Sequence, residues 1–100
     1  MADTYRVAFI GLVHDHAWGE LPHWLECPNC QVVAAADPNS ELTQRAQAKG
    51  VPSVYSDWRE MAEAEEFEIA AIFVPNSDAA EVVEALAPRG VHFVVEKPMA

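Results

Sequence analysis

Hydrophobic residues in this chain fall into short unbroken runs, separated by longer stretches in which they recur every three or four positions. The runs are Val7 to Ile10, Gln31 to Ala36, Val51 to Tyr55, Ile69 to Val74 and Val91 to Val95. Their length and their Val, Ile, Phe and Ala content predict strands buried on both faces, as in a parallel sheet. Pro52 places the third run at a sheet edge, because proline cannot donate to a central ladder. Ile69 to Val74 is the most hydrophobic run and is expected near the centre.

The stretches between the runs read as helices. From about Asp15 to Glu26, Trp18, Leu21, Trp24 and Leu25 share one helical face. Gly19 and Pro22 interrupt it, and an interior proline costs about 3 kcal/mol, so this helix is expected to start late, near Leu21, or to be irregular at its beginning. Ser40 is the expected cap of a helix over Glu41 to Lys49, closed by a left-handed Gly50. Ser56 is the expected cap of the next, with Asp57 in its first turn, Trp58, Met61 and Ala62 facing inward, and Glu60, Glu63, Glu65, Glu66 and Glu68 forming a solvated acidic face. Asn76 or Ser77 opens the last helix, which ends at Pro88-Arg89-Gly90. The alternation predicts an α/β, doubly wound parallel sheet of about five strands, with helices on both faces and right-handed crossovers.

Length and charge narrow the function. One hundred residues, 51% of them hydrophobic, suffice for one packed domain. Sixteen acidic against six basic residues give a formal charge of −10, which disfavours nucleic acid and anionic membrane surfaces as partners. No apolar run approaches the roughly 18 residues of a membrane span, and Met1 to Thr4 lack the character of a signal peptide, so a cytoplasmic location is expected. Cys27 and Cys30 are then expected as thiols rather than as a structural bridge.

Gly11 ends the first strand where a nucleotide-binding βαβ unit would make its tight turn. In the G-x-G-x-x-G pattern the second and third glycines correspond to Val13 and His16, so only the first is present. His14 or His16 offers a donor to a phosphate in place of the missing glycines. Asp37 ends the second strand 26 positions after Gly11, near the spacing of about 20 for a carboxylate that accepts both ribose hydroxyls of adenosine. Its competing reading is a helix or turn cap before Pro38. Glu96 and Lys97 stand at the carboxyl end of the last strand, the edge at which open α/β sheets bind ligands. His14, His16 and His23 with Cys27-Pro28-Asn29-Cys30 include zinc-ligand types, but there is one C-x₂-C pair only, and the reading adopted is no metal site. A thioredoxin-like role is also disfavoured, since this motif precedes a strand rather than a helix.

At Glu96-Lys97-Pro98 the chain resembles the amino-terminal domain of the glucose-fructose oxidoreductase and inositol dehydrogenase family. The resemblance spans the first strand and Gly11, Val32 to Asp37, Tyr55-Ser56-Asp57-Trp58, Val74-Pro75-Asn76, and Gly90 to Pro98. It implies that Lys97 lies near the nicotinamide and substrate as the catalytic residue, that Pro75 and Asn76 lie along the cofactor, and that Asp37 meets the adenine ribose. It also implies a second, substrate-binding and catalytic domain, absent from residues 1–100. The family's histidine three residues after Pro-Asn is Ala79 here.

The expected function is therefore the cofactor-binding part of an NAD(P)-dependent oxidoreductase that moves a hydride from a sugar, polyol or related hydroxyl compound. NAD is expected over NADP because Asp37 would repel a 2′-phosphate and no arginine follows closely. Cofactor-binding candidates are Gly11, Val13, His14, His16, Asp37, Pro75, Asn76, Glu96 and Lys97. A homo-oligomer is compatible with the apolar surface a partner domain would cover. The alternative is a non-catalytic binding module that kept the fold, with Val13, His16 and Ala79 as the features in its favour.

Overall fold

A computed structural model describes residues 4–13, 15–74 and 76–95, with the backbone alone at 16, 76 and 77. The elements run β1 (Tyr5–Ile10), α1 (Asp15–Glu26), β2 (Cys30–Ala36), α2 (Ser40–Ala48), β3 (Ser53–Tyr55), α3 (Trp58–Ala64), β4 (Ile69–Ile72), α4 (Asn76–Leu86), a 3₁₀ turn over Ala87–Arg89, and β5 (His92–Val95). The strands form one sheet in the order β3-β2-β1-β4-β5, with every neighbouring pair parallel. The expected alternation is thus observed, with β3, which begins just after Pro52, at one edge and β4 in the interior.

Apolar burial divides between the two faces. On one, Val7, Phe9, Ala35 and Ala71 pack with Ala17 and Leu21 of α1 and Ala46 of α2. On the other, Ala8, Ile10, Ala70 and Ile72 pack with Met61 of α3 and with Val82 and Leu86 of α4. Alanine at four of these strand positions lets helices approach closely on both sides. The pairing of β1 with β2 shifts between Val7 and Ala8, whose partners are Val32 and Ala34. Val33 is the extra residue, and it reverses the inside–outside parity of β2: Val32 faces the α1–α2 side, whereas Ala34, two positions on, faces α3 and α4.

Four expectations require correction. The first helix begins at Asp15, not near Leu21, and contains Pro22. Pro22 is exposed, so the Trp18 carbonyl that it leaves without an amide donor is on the side where water can serve. The cap of α2 is Asn39 rather than Ser40; its side chain accepts the Glu41 N–H at 3.0 Å. The cap of α3 is Asp57 rather than Ser56, accepting the Arg59 N–H at 2.9 Å. The acidic face is not uniformly solvated, because Glu65 accepts the Tyr55 hydroxyl at 2.5 Å and Glu68 is drawn into the sheet. Gly50 and Gly90 do adopt positive φ at their helix ends.

Glu68 joins the amino ends of β1 and β4. Its Oε1 accepts the Arg6 amide at 2.7 Å, its own N–H donates to the Arg6 carbonyl at 3.0 Å, and the Arg6 guanidinium bonds both carboxylate oxygens. The Arg6 side-chain hydrogen bonds hold the Glu68 carboxyl below its ordinary range, helped by the Arg6 amide. A depressed carboxyl contributes stability above its unfolded-state pKa and loses it as pH falls through the lower folded value. With the Glu68 side chain 34% and the Arg6 side chain 42% exposed, solvent screening limits the effect. Glu68→Gln is expected to lose about 1 kcal/mol at neutral pH. In urea denaturation the gap from wild type should close as pH drops below the ordinary glutamate range.

Candidate cofactor site

The direction of chain winding reverses between β1 and β4, the neighbouring strands from which the connections run to opposite edges. In such sheets the crevice outside the carboxyl ends at this point receives ligands. Gly11 lies here with φ 91°. A Cβ at this position would come within 2.6 Å of Val74 Cγ1 and 2.9 Å of the Phe73 carbonyl oxygen. The glycine is therefore required twice, by its backbone conformation and by the approach of the β4 exit. The Gly11 N–H donates to the Ala36 carbonyl at 2.9 Å, and the Phe73 N–H to the Ile10 carbonyl at 2.8 Å. Three strand ends are thus fastened around the turn.

Asp37 completes the fastening. Its Oδ2 accepts the Leu12 N–H at 2.8 Å and its Oδ1 the Asn39 N–H at 2.8 Å, with the residue 4% exposed. The Leu12 carbonyl in turn accepts the Trp18 indole N–H at 2.8 Å. Leu12 is buried, so this turn is a fixed part of the core rather than a loose loop. Val13, which replaces the second glycine, projects outward and is 73% exposed. Ala79 is buried against α3 and the sheet.

Two adjoining hollows of about 330 Å³ each open over these strand ends, sharing Gly11, Asp37, Pro38, Trp58, Arg59 and Val74. Val13, Asp78 and Glu81 border one of them. Arg59 pairs with Glu81 of α4 and stands 4.6 Å from the centre of the Trp58 ring, so its charge is held at the cleft wall. The amino ends of α1 and α4 follow the two strand ends, and Asp78 in the first turn of α4 borders the cleft.

The structure thus brings Gly11, Val13 and Asp37 together. His14, Pro75, Glu96 and Lys97 lie outside the described residues, as do the side chains of His16, Asn76 and Ser77. Trp58, Arg59 and Glu81 were not among the sequence-based site candidates. The signal for the first two was position: they follow β3 directly at the carboxyl edge. Glu81, one turn into α4, gives no such signal. Among the described residues no three His, Cys, Asp or Glu side chains converge as a metal site would need, and no helix is long and apolar enough to cross a membrane.

Residues 5–100 match the model of a family described as oxidoreductases with an NAD-binding Rossmann fold. The chain is 32% identical over 97 residues to levoglucosan dehydrogenase of Pseudarthrobacter phenanthrenivorans, covering 92% of this chain and 24% of that protein. Myo-inositol 2-dehydrogenase from Lactobacillus plantarum superposes with a TM-score of 0.85 at 23% identity, over 96% of this chain and 29% of the other. Scyllo-inositol dehydrogenase from Lactobacillus casei, solved with NAD(H) and scyllo-inositol, gives 0.84 at 20% identity, over 96% and 28%. The chain therefore spans about a quarter of the levoglucosan dehydrogenase and under a third of the inositol dehydrogenases.

Two substitutions test the turn. Gly11→Ala combines positive-φ strain with a clash against backbone and should lower stability by about 2–4 kcal/mol in chemical denaturation. Asp37→Ala removes a charged acceptor from two backbone amides and should lower it by about 2–3 kcal/mol, with amide exchange at Leu12 rising more than at the β4 residues.

Proposed function

The chain belongs to the oxidoreductase family built on an NAD-binding Rossmann fold, and from that premise we propose that it is the cofactor-binding domain of a longer dehydrogenase acting on a sugar, polyol or related hydroxyl compound. The observation that carries this reading is the Asp37 carboxylate beside the Gly11 turn, at the carboxyl edge where the winding reverses. A carboxylate has about four acceptor positions, and Asp37 uses two on backbone amides. The remaining two suit the vicinal hydroxyls of an adenosine ribose in the adjoining cleft. The pyrophosphate belongs over Gly11 to Val13, between the amino ends of α1 and α4, whose dipoles favour negative charge.

NAD when bound supplies the hydride acceptor. On this reading the chain's own residues orient it: Pro75 and Asn76 along its length, and Glu96 and Lys97 beyond the end of β5. Lys97 holds the substrate hydroxyl and moves its proton, a role worth about 10²-fold or more in rate. Preference for NAD over NADP is supported by Asp37, Asp78 and Glu81 on the cleft, against Arg59 already engaged by Glu81. Levoglucosan and inositols, named for the relatives, are polyhydroxylated rings, and the substrate is proposed from that class.

Calorimetric titration tests the proposal directly. One-to-one binding of NAD⁺ is expected in the high micromolar range, about −5 kcal/mol, with NADP⁺ binding at least about ten-fold weaker. A folded chain that binds neither would overturn the reading in favour of a non-catalytic module, and equal affinities would overturn the NAD preference alone.

A further inference from the structure

The Cys27-Pro28-Asn29-Cys30 turn lies at the opposite end of the sheet from the cleft and has no part in the proposed dehydrogenase chemistry. The Cys27 N–H donates to the Trp24 carbonyl at the close of α1, at 3.3 Å, and the Cys30 N–H donates to the Cys27 carbonyl at 3.2 Å. A turn closed in this way holds its first and last Cα atoms within about 7 Å, and a disulfide spans about 4.4–6.8 Å. The Tyr5 N–H donates to the Asn29 carbonyl at 2.8 Å, so the turn is also clamped to β1. Both cysteines are free, and both residues are half-buried rather than enclosed in the core. Among the described residues no third metal-ligating side chain joins them.

We propose that Cys27 and Cys30 form a reversible thiol–disulfide site for low-molecular-weight disulfides, with Cys27 as the attacking sulfur and Cys30 as the resolving one. The neighbouring Cys30 thiol, then the Asn29 and Cys30 backbone amides, draw Cys27 below the ordinary thiol range. The neighbouring Cys27 thiol, then burial, pushes Cys30 up. The carboxyl end of α1 opposes a thiolate here, so the activation of Cys27 is local, from the donors of its own turn. This differs from motifs that borrow a helix amino terminus.

In the first step the Cys27 thiolate attacks one sulfur of glutathione disulfide; a Cys27–glutathione bond forms, the original S–S bond breaks, and glutathione leaves as a thiolate. Cys30 then attacks the Cys27 sulfur, the protein disulfide forms, and a second glutathione leaves. The two cysteine protons pass to the two glutathiones, so two thiols are oxidised and one disulfide is reduced.

The test is mass spectrometry of acid-quenched protein after exposure to millimolar glutathione disulfide. The wild-type chain should lose two hydrogens, carry no adduct, and recover fully in dithiothreitol. Cys30→Ser should retain one glutathione on Cys27, and Cys27→Ser should react about ten-fold more slowly. Should either variant fail to fold, peptide mapping of the wild-type chain under limiting iodoacetamide gives the same ordering, with Cys27 labelled first. A folded wild-type chain that stays reduced, keeps a glutathione adduct or forms linked dimers overturns the proposal, as does equal labelling of the two sulfurs.

Discussion

Everything at the carboxyl edge depends on how closely the exit of β1 approaches the exit of β4. Gly11 leaves no space for a side chain against Phe73 and Val74, and that contact brings two strand ends, and the helices that follow them, to one place. The amides of Gly11 and Leu12 then tie the turn to the end of β2, one through the Ala36 carbonyl and the other through the Asp37 carboxylate. A single missing Cβ thereby sets the position of three strand ends.

The layers on either side are compatible with that approach because the middle of the sheet is made of small residues. Ala8, Ala34, Ala35, Ala36, Ala70 and Ala71 are all buried, and larger groups are supplied from the helices and from the strand ends. The stacked Phe9 and Phe73 rings, 5.4 Å apart, fill the side under α1. At the other end of the sheet the same two strands are joined by Arg6 and Glu68, so β1 and β4 are fixed to each other at both ends by different chemistry, steric at one and ionic at the other.

Much of this was legible in the sequence because parallel strands buried on both faces leave a strong mark: unbroken apolar runs, punctuated by glycine and proline. The edge position of β3 followed from Pro52, and the turn at Gly11 from its place after Ile10. What escaped depended on three-dimensional choices among near-equivalent neighbours. Asn39-Ser40 and Ser56-Asp57 each offer two good capping residues, and only backbone geometry selects one. Pro22 reads as a helix breaker until its exposure is known. The extra residue at Val33 is silent because every position from Val32 to Ala36 is apolar, so a change of parity alters no pattern. Glu68 closes an acidic stretch in sequence but stands immediately before β4 in space, bonded to Arg6 of β1. At the site, the acidic character of Asp37 and its capping of the Pro38 turn, seen in the bond from the Asn39 N–H, were legible; its bond to Leu12 was not, since that requires the turn after β1 to be folded first.

The double engagement of Asp37 also bears on how this lineage can change. On the reading proposed above, the carboxylate that would meet the ribose is the one that anchors the turn beneath it. Drift toward a cofactor with an additional phosphate would favour losing that negative charge, yet its loss would also detach Leu12. Specificity and foldedness are therefore pleiotropic at this position, and a lineage crossing from one cofactor to the other would first have to acquire a compensating anchor for the turn.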